Sequence, residues 1–223
     1  MRILALDASS HACSAALIED GRVVAHRINL QERGQAEALI PLAAEVLAEA
    51  NLACSDADMI AASVGPGSFT GLRIGLAAAR GLCLATGKPF AGISSFEALA
   101  RAVPKAERLG RIVLACVDAK RAEIFVQCLD EQLNALNEPQ ALLAEEVPSH
   151  LPQGPLLVAG DGAAALKDIL SQRPDALFSS APPHLDAVWV GMAAFERLAQ
   201  GRPVLPPAPL YLRAPDVTIS KKQ

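Results

Sequence analysis

The chain has 223 residues, 20 Lys and Arg against 24 Asp and Glu, a formal net charge of −4 and 52% hydrophobic residues. That length admits one large domain or two small ones sharing an interface, and with 4% aromatics the core must be built from Ala, Leu, Val and Ile. The acidic balance argues against free-standing nucleic-acid binding, though a local basic patch fits within it; with no basic leader and no apolar run of roughly 18 residues, a cytoplasmic protein is expected.

Arg2 to Leu6 is a continuous apolar run closed by Asp7 and reads as a buried strand. Ser14 to Glu19 gives a second strand, Asp20-Gly21 a tight turn and Arg22 to Leu30 a third strand. Gln35 to Ala50 follows as a helix with Leu39, Leu42, Val46 and Leu47 on one side. Pro41 inside it predicts a start nearer Ile40 or a kink. Met59 to Val64, a further strand, runs into Val64-Gly65-Pro66-Gly67-Ser68-Phe69-Thr70-Gly71-Leu72-Arg73-Ile74-Gly75, the most informative stretch of the chain, and a helix continuing to Ala85. A Gly-rich turn at a helix start leaves N–H groups outward under a positive dipole, suited to an anion or a partner's carbonyls. It is not a Walker loop, which requires Gly-Lys-Ser/Thr. Gly67, Gly71 and Gly75 recur at four-residue steps, where missing side chains let another backbone approach. Gly87 and Pro89 stop the helix, Phe90 to Ile93 is a short strand, and Ser94 or Ser95 caps a helix to about Arg101.

Arg111 to Val117 restarts the pattern. Cys116-Val117-Asp118-Ala119, like Ala5-Leu6-Asp7-Ala8, ends a buried strand with Asp-Ala and leads into another strand, so two related halves are expected. Six prolines from Pro148 to Pro183 punctuate the second half, with a strand at Leu156 to Ala159, then Gly160-Asp161-Gly162 and a helix through Leu170. Ala187 to Leu198 is an amphipathic helix expected to cross back onto the first half. Pro203 to Pro209 carries the chain toward Tyr211, and Lys221-Lys222-Gln223 is expected to be a mobile end. Cys13, Cys54, Cys83, Cys116 and Cys128 read as reduced core thiols. No two of His11, His26, His150 and His184 have metal-ligand spacing, and no Gly-x-Ser-x-Gly elbow is present. Asp7 and Asp118 read first as strand-end caps of local backbone N–H groups. The helix carrying Gly71, Gly75, Leu76, Ala77, Ala78, Ala79, Leu82 and Cys83 is apolar on nearly all sides, so it is expected to be buried within the domain or between chains.

Four segments together resemble the bacterial TsaB family, also called YeaZ: the glycine run, the opening Ile3-Leu4-Ala5-Leu6-Asp7-Ala8-Ser9-Ser10, the segment Asp118-Ala119-Lys120-Arg121-Ala122-Glu123-Ile124-Phe125, and the closing Pro209-Leu210-Tyr211-Leu212-Arg213. The resemblance implies an α/β chain with a duplicated actin-like/sugar-kinase (ASKHA) fold in reduced form. Two mixed-sheet subdomains are expected over residues 1–104 and 105–223, the helix at about 186–200 packing back on the first. It implies a non-catalytic subunit that binds TsaD, and with it TsaE, supporting threonylcarbamoyl transfer to adenosine 37 of tRNAs reading ANN codons. Self-association is implied when the partner is absent, with tRNA contacted only indirectly, no membrane, no metal and no resident cofactor; a nucleotide at the partner interface is left open. Partner contacts are expected from Leu39, Leu42 and Val46, and from Gly67, Gly71, Arg73, Gly75, Ala78, Ala79 and Leu82, with Arg73 and Arg80 at the rim. Where TsaD carries a His-x-x-x-His metal pair, Ser95 and Leu99 stand here. The rival reading is a small ATP-binding kinase or ATPase using Asp7, Ser9 and Ser10 as one phosphate loop and Asp118 as the second, with Gly160-Asp161-Gly162 for adenosine. Lys120-Arg121 departs from that pattern, in which small residues are usual. A peptidase, the third reading, lacks both the metal pair and a nucleophile–base signature.

Overall fold

The computed structural model describes residues 1–30 and 34–212, so Arg213 of the closing motif and the Lys221-Lys222-Gln223 end lie outside the described residues. Strands β1 (Arg2–Asp7), β2 (Cys13–Glu19) and β3 (Arg22–Asn29) form an antiparallel meander. Asp20 and Gly21 turn it with φ of 48° and 75°, the twist that a two-residue hairpin needs. Helix α1 (Gln35–Glu49), β4 (Met59–Gly65), α2 (Phe69–Thr86), β5 (Phe90–Ser94) and α3 (Ser95–Ala102) follow. β4 and β5 join β1 in parallel, giving the order β3-β2-β1-β4-β5.

After the one-turn α4 (Lys105–Arg108) the plan repeats. Strands β6 (Ile112–Asp118), β7 (Glu123–Leu129) and β8 (Gln140–Leu143) are antiparallel. The short α5 (Val147–His150) precedes β9 (Leu156–Ala159), a 3₁₀ turn and α6 (Lys167–Leu170) precede β10 (Ala176–Phe178), and α7 (Ala187–Ala199) closes the half. The second sheet has the order β10-β9-β6-β7-β8, the same path as the first, with β9 and β10 parallel to β6. Asp7 and Asp118 thus end equivalent central strands. The fold is α/β, duplicated, with two mixed five-stranded sheets.

Alternation along β1 assigns its two faces. Leu4 and Leu6 point to α1 and α2, which cover the outer side of the first sheet. Ile3 and Ala5 point into a core shared by both sheets and by α3 and α7, which lie between them. A third cluster, around Leu114, Val158, Leu166 and Leu170, covers the outer side of the second sheet. α7 packs on β1 and β2 of the first half. A Cβ at Gly191 would stand 2.5 Å from Ile18 Cγ1, so glycine lets the helix backbone settle onto the sheet.

α1 begins at Gln35 with Pro41 inside it, rather than near Ile40. Leu39, Ala43, Val46 and Leu47 are buried, and that burial from the first turns onward holds the segment helical through the proline, which itself faces solvent. No helix of the described residues is long and apolar enough to cross a membrane.

α3 and α7 are also joined by charge. Arg197 Nε donates to both Glu97 oxygens at 2.9 and 2.8 Å, Glu97 is buried, and Arg101 pairs with Glu196 beside them. Glu97→Ala would strand the Arg197 guanidinium; urea denaturation at pH 7 is expected to show a loss of about 3 kcal/mol. A loss below about 1 kcal/mol would mean that Arg197 finds water instead.

Candidate functional site

β4 runs straight into the glycine loop. The Gly65–Pro66 peptide bond is cis and Gly65 adopts φ of 110°. Ser68 N donates to Ser9 O at 2.7 Å, and Ser68 Oγ caps α2 by accepting from Gly71 N at 3.2 Å. A Cβ on Gly67 would lie 2.6 Å from Ser9 O, and one on Gly71 would collide with the Ala8 carbonyl oxygen. Gly75 is buried on the same side, its missing Cβ 3.8 Å from Ala8 N. The three glycines therefore seat the loop and helix on the chain's own β1–β2 connection. Gly71 and Gly75 are buried and Gly67 is half-buried there.

Leu39, Val46 and Ala79 likewise sit fully in the outer core. Leu42, Ala78 and Leu82 are half-buried at its margin. Arg73 is exposed but held within the chain: its Cζ lies 3.7 Å above the Phe69 ring and its Nε donates to Tyr211 Oη at 3.3 Å. The surface that α1 and α2 do present is a different set. Ile40, Ala44 and Ala48 are exposed on α1, and Ala77, Arg80, Gly81, Leu84 and Ala85 on α2, with Leu84 88% exposed. The four-residue steps of Ile40-Ala44-Ala48 and Ala77-Gly81-Ala85 were visible in the sequence. In helices apolar on most sides that spacing does not say which stripe is inside.

A cleft of about 570 Å³ lies between the halves. Ser9, Ser10 and His11 line it from the β1–β2 loop, Ser95 and Leu99 from α3, and Asp118, Lys120 and Asp161 from the second half. Asp7 is not on its wall. It is fully buried and accepts from Ser63 Oγ, from Ser9 Oγ at 2.7 Å and from Ser9 N at 3.3 Å. Burial pushes its carboxyl up to about 6, against those hydrogen bonds. Burial also pushes Asp118 up, but Lys120, donating from Nζ at 2.9 Å and from its backbone N at 2.7 Å, outweighs it and leaves that carboxyl below its usual value. Asp161 accepts from Asp118 N at 2.9 Å and is raised by burial.

Of the residues expected to hold a nucleotide, Ser9, Ser10 and Asp118 meet at the cleft, while Asp7 is sealed behind two serine hydroxyls. Of the two strand-end aspartates, Asp118 reaches the cleft wall and Asp7 does not. Ser95 Oγ is buried without a hydrogen-bond partner among the described residues. His11 and His184 meet edge to face at 5.5 Å, a contact between distant segments that their spacing in sequence does not reveal.

The family model described as TsaD: tRNA N6-adenosine threonylcarbamoyltransferase matches residues 22–219. The tRNA threonylcarbamoyladenosine biosynthesis protein TsaB of Escherichia coli (strain K12) is 33% identical over 175 residues, 76% of this chain and 75% of that protein. The structure of YeaZ from Pseudomonas aeruginosa matches with a TM-score of 0.82 and 31% identity, over 95% of this chain and 99% of that one. The activator of the 2-hydroxyisocaproyl-CoA dehydratase from Clostridium difficile shares the fold, with a TM-score of 0.56 at 11% identity over 90% and 97% of the two chains. The repeated strand order is therefore that of the ASKHA fold, and the chain belongs to the TsaB (YeaZ) family.

Proposed function

We propose that this protein is a non-catalytic scaffold subunit that docks on TsaD through the exposed faces of α1 and α2, and that the pair with TsaE supports threonylcarbamoyl transfer to adenosine 37 of tRNA. The observation that carries the reading is the apolar surface left open on the outer helical layer, led by Leu84 at 88% exposure with Ile40, Ala77 and Ala85. Isolated exposed apolar residues need no explanation, but two neighbouring helices that each keep an apolar stripe in water mark a surface for association. Arg80, within the α2 stripe, supplies a charge for the rim. The same face serves self-association when TsaD is absent. The name of the Escherichia coli relative supplies the pathway, and the docking geometry is this chain's own.

The test is threonylcarbamoyl transfer to tRNA by the cognate TsaD and TsaE with ATP and supplied threonylcarbamoyl adenylate, with and without this chain. Activity that appears only with the chain is expected. Leu84→Glu should weaken the pair by at least about 10-fold while leaving the melting temperature unchanged, because it places a charge where apolar surface must be desolvated. Equal activity without the chain would end the subunit reading; an undiminished complex with Leu84→Glu would move the docking face elsewhere.

A further inference from the structure

β5 is an edge strand of the first sheet, and the chain returns to it after α7. Leu205 N donates to Gly92 O and Gly92 N to Leu205 O, both at 2.9 Å, and Arg197 Nη1 donates to the Pro203 carbonyl at 2.7 Å. Gly92 is needed at this crossing, where a Cβ would stand 2.6 Å from Leu205 O. That pairing is a firm root. Beyond it Pro206, Pro207 and Pro209 have no N–H to give, and Ala208 N bonds back to Pro206 O at 2.7 Å. The span 206–209 therefore donates no backbone hydrogen bond to the rest of the fold. At the tip, Leu210 N donates to Val64 O at 2.7 Å and Leu212 is half-buried against the shared core. Between them Tyr211 turns outward onto the first turn of α2. Its ring stacks on Phe69, with centroids 5.8 Å apart and planes 30° from parallel. Its Oη accepts from Arg73 Nε at 3.3 Å, and Arg73 Cζ lies over the Phe69 ring.

Tyr211 covers one end of a longer surface. Phe69, Arg73, Ala77, Arg80 and Leu84 follow along α2 at steps of four, four, three and four residues, which keeps them on one side of the helix, and all five are exposed. The docking stripe occupies the part from Ala77 onward. Phe69 and Arg73 continue it, and they are the side-chain types that protein interfaces favour. In the free chain both are engaged by Tyr211. The cover is light: a ring 44% exposed, stacked on one 51% exposed, with a single long hydrogen bond. We infer that the segment 203–212 is a strap whose Tyr211 masks the N-terminal end of the docking face, and that TsaD, lying along α2, displaces the ring and takes Phe69 and Arg73 in its place. The contact is autoinhibitory, because affinity falls with the fraction of molecules in which the ring is down. It rests on the docking reading above and adds that the strap tunes it.

Tyr211 is the one tyrosine of the chain, so 3-fluorotyrosine labelling puts a single fluorine resonance on the strap. The full labelled chain would be recorded alone and with saturating, unlabelled cognate TsaD. The resonance is expected to leave its free-chain position when TsaD binds. Tyr211→Ala should melt with the parent and bind TsaD at least about 3-fold more tightly, since no cover has to be displaced. In that background Phe69→Leu should weaken the pair at least about 5-fold. Opposite signs from two stacked rings separate a mask from a contact surface, in which both losses weaken binding. The mask is overturned if the resonance stays in place at saturation, if Tyr211→Ala binds no tighter than the parent, or if Phe69→Leu has no effect in the Tyr211→Ala chain. Should any of these occur while Leu84→Glu still weakens the pair, the docking face stands without the mask. Absence of binding by the parent and Tyr211→Ala alike would end both.

Discussion

Gly71→Ala is expected to lower stability by at least about 4 kcal/mol and the melting temperature by about 10 °C or more. The added Cβ would collide with the Ala8 carbonyl oxygen, a backbone atom that no rotamer change moves aside. Ala8 is followed by Ser9, whose own carbonyl receives Ser68 N at 2.7 Å, so displacing one strains the other. The N-cap bond from Gly71 N to Ser68 Oγ shifts with them. Gly81 provides the control on the same helix: it is exposed, and a Cβ there meets nothing within 4 Å. Gly81→Ala should therefore stabilise by about 1 kcal/mol, the ordinary gain from removing a helix-interior glycine. Opposite signs from two glycines ten residues apart, read by thermal denaturation, would show that only the first is a packing glycine. A Gly71→Ala variant that melts with the parent would show that the loop yields, and would return Gly71 to the residues open to a partner.

Those two glycines illustrate what the sequence made legible. The strand–glycine loop–helix order, the hairpin at Asp20-Gly21 and the Asp-Ala repeat are local patterns, and each appears in the structure close to where its residues placed it. Strand periodicity and turn chemistry act over a few residues, so they survive without tertiary information. What the glycines pack against is a tertiary matter. Four-residue spacing gives α2 a smooth stripe, but the backbone filling it is Ala8 and Ser9, some sixty residues earlier. For the same reason, Leu39, Val46 and Ala79 could be read from sequence as core or as interface; in the structure they are buried on the first sheet. The open stripe of Ile40, Ala77 and Leu84 could be assigned only once the buried one was known. The Phe69–Arg73–Tyr211 unit had even less signal, since Phe69 and Arg73 are one turn apart and Tyr211 arrives from the far end of the chain.

The second large effect concerns Asp7, whose apparent role in a phosphate loop becomes a question of stability. Its carboxyl is raised from 3.8 to about 6, first by burial, with the nearby Asp186 adding to it and the Ser63 and Ser9 hydrogen bonds opposing it. The folded state thus prefers the neutral acid. The stability this gives is fully present below the unfolded pKa near 4 and is lost as pH rises through about 6. A pKa displaced by about two pH units corresponds to about 3 kcal/mol. Asp7→Asn keeps an oxygen to accept from a serine hydroxyl and is neutral at every pH. The stability of the parent minus that of Asp7→Asn, from urea denaturation, should therefore fall by about 2–3 kcal/mol between about pH 4 and pH 8 and be flat above about pH 7. Parallel curves would mean that Asp7 reaches solvent or a cation, as a phosphate-loop aspartate would. A falling difference would make it a buried clasp. Through Ser63 it grips the strand that delivers the glycine loop, and through Ser9 the segment on which that loop is seated.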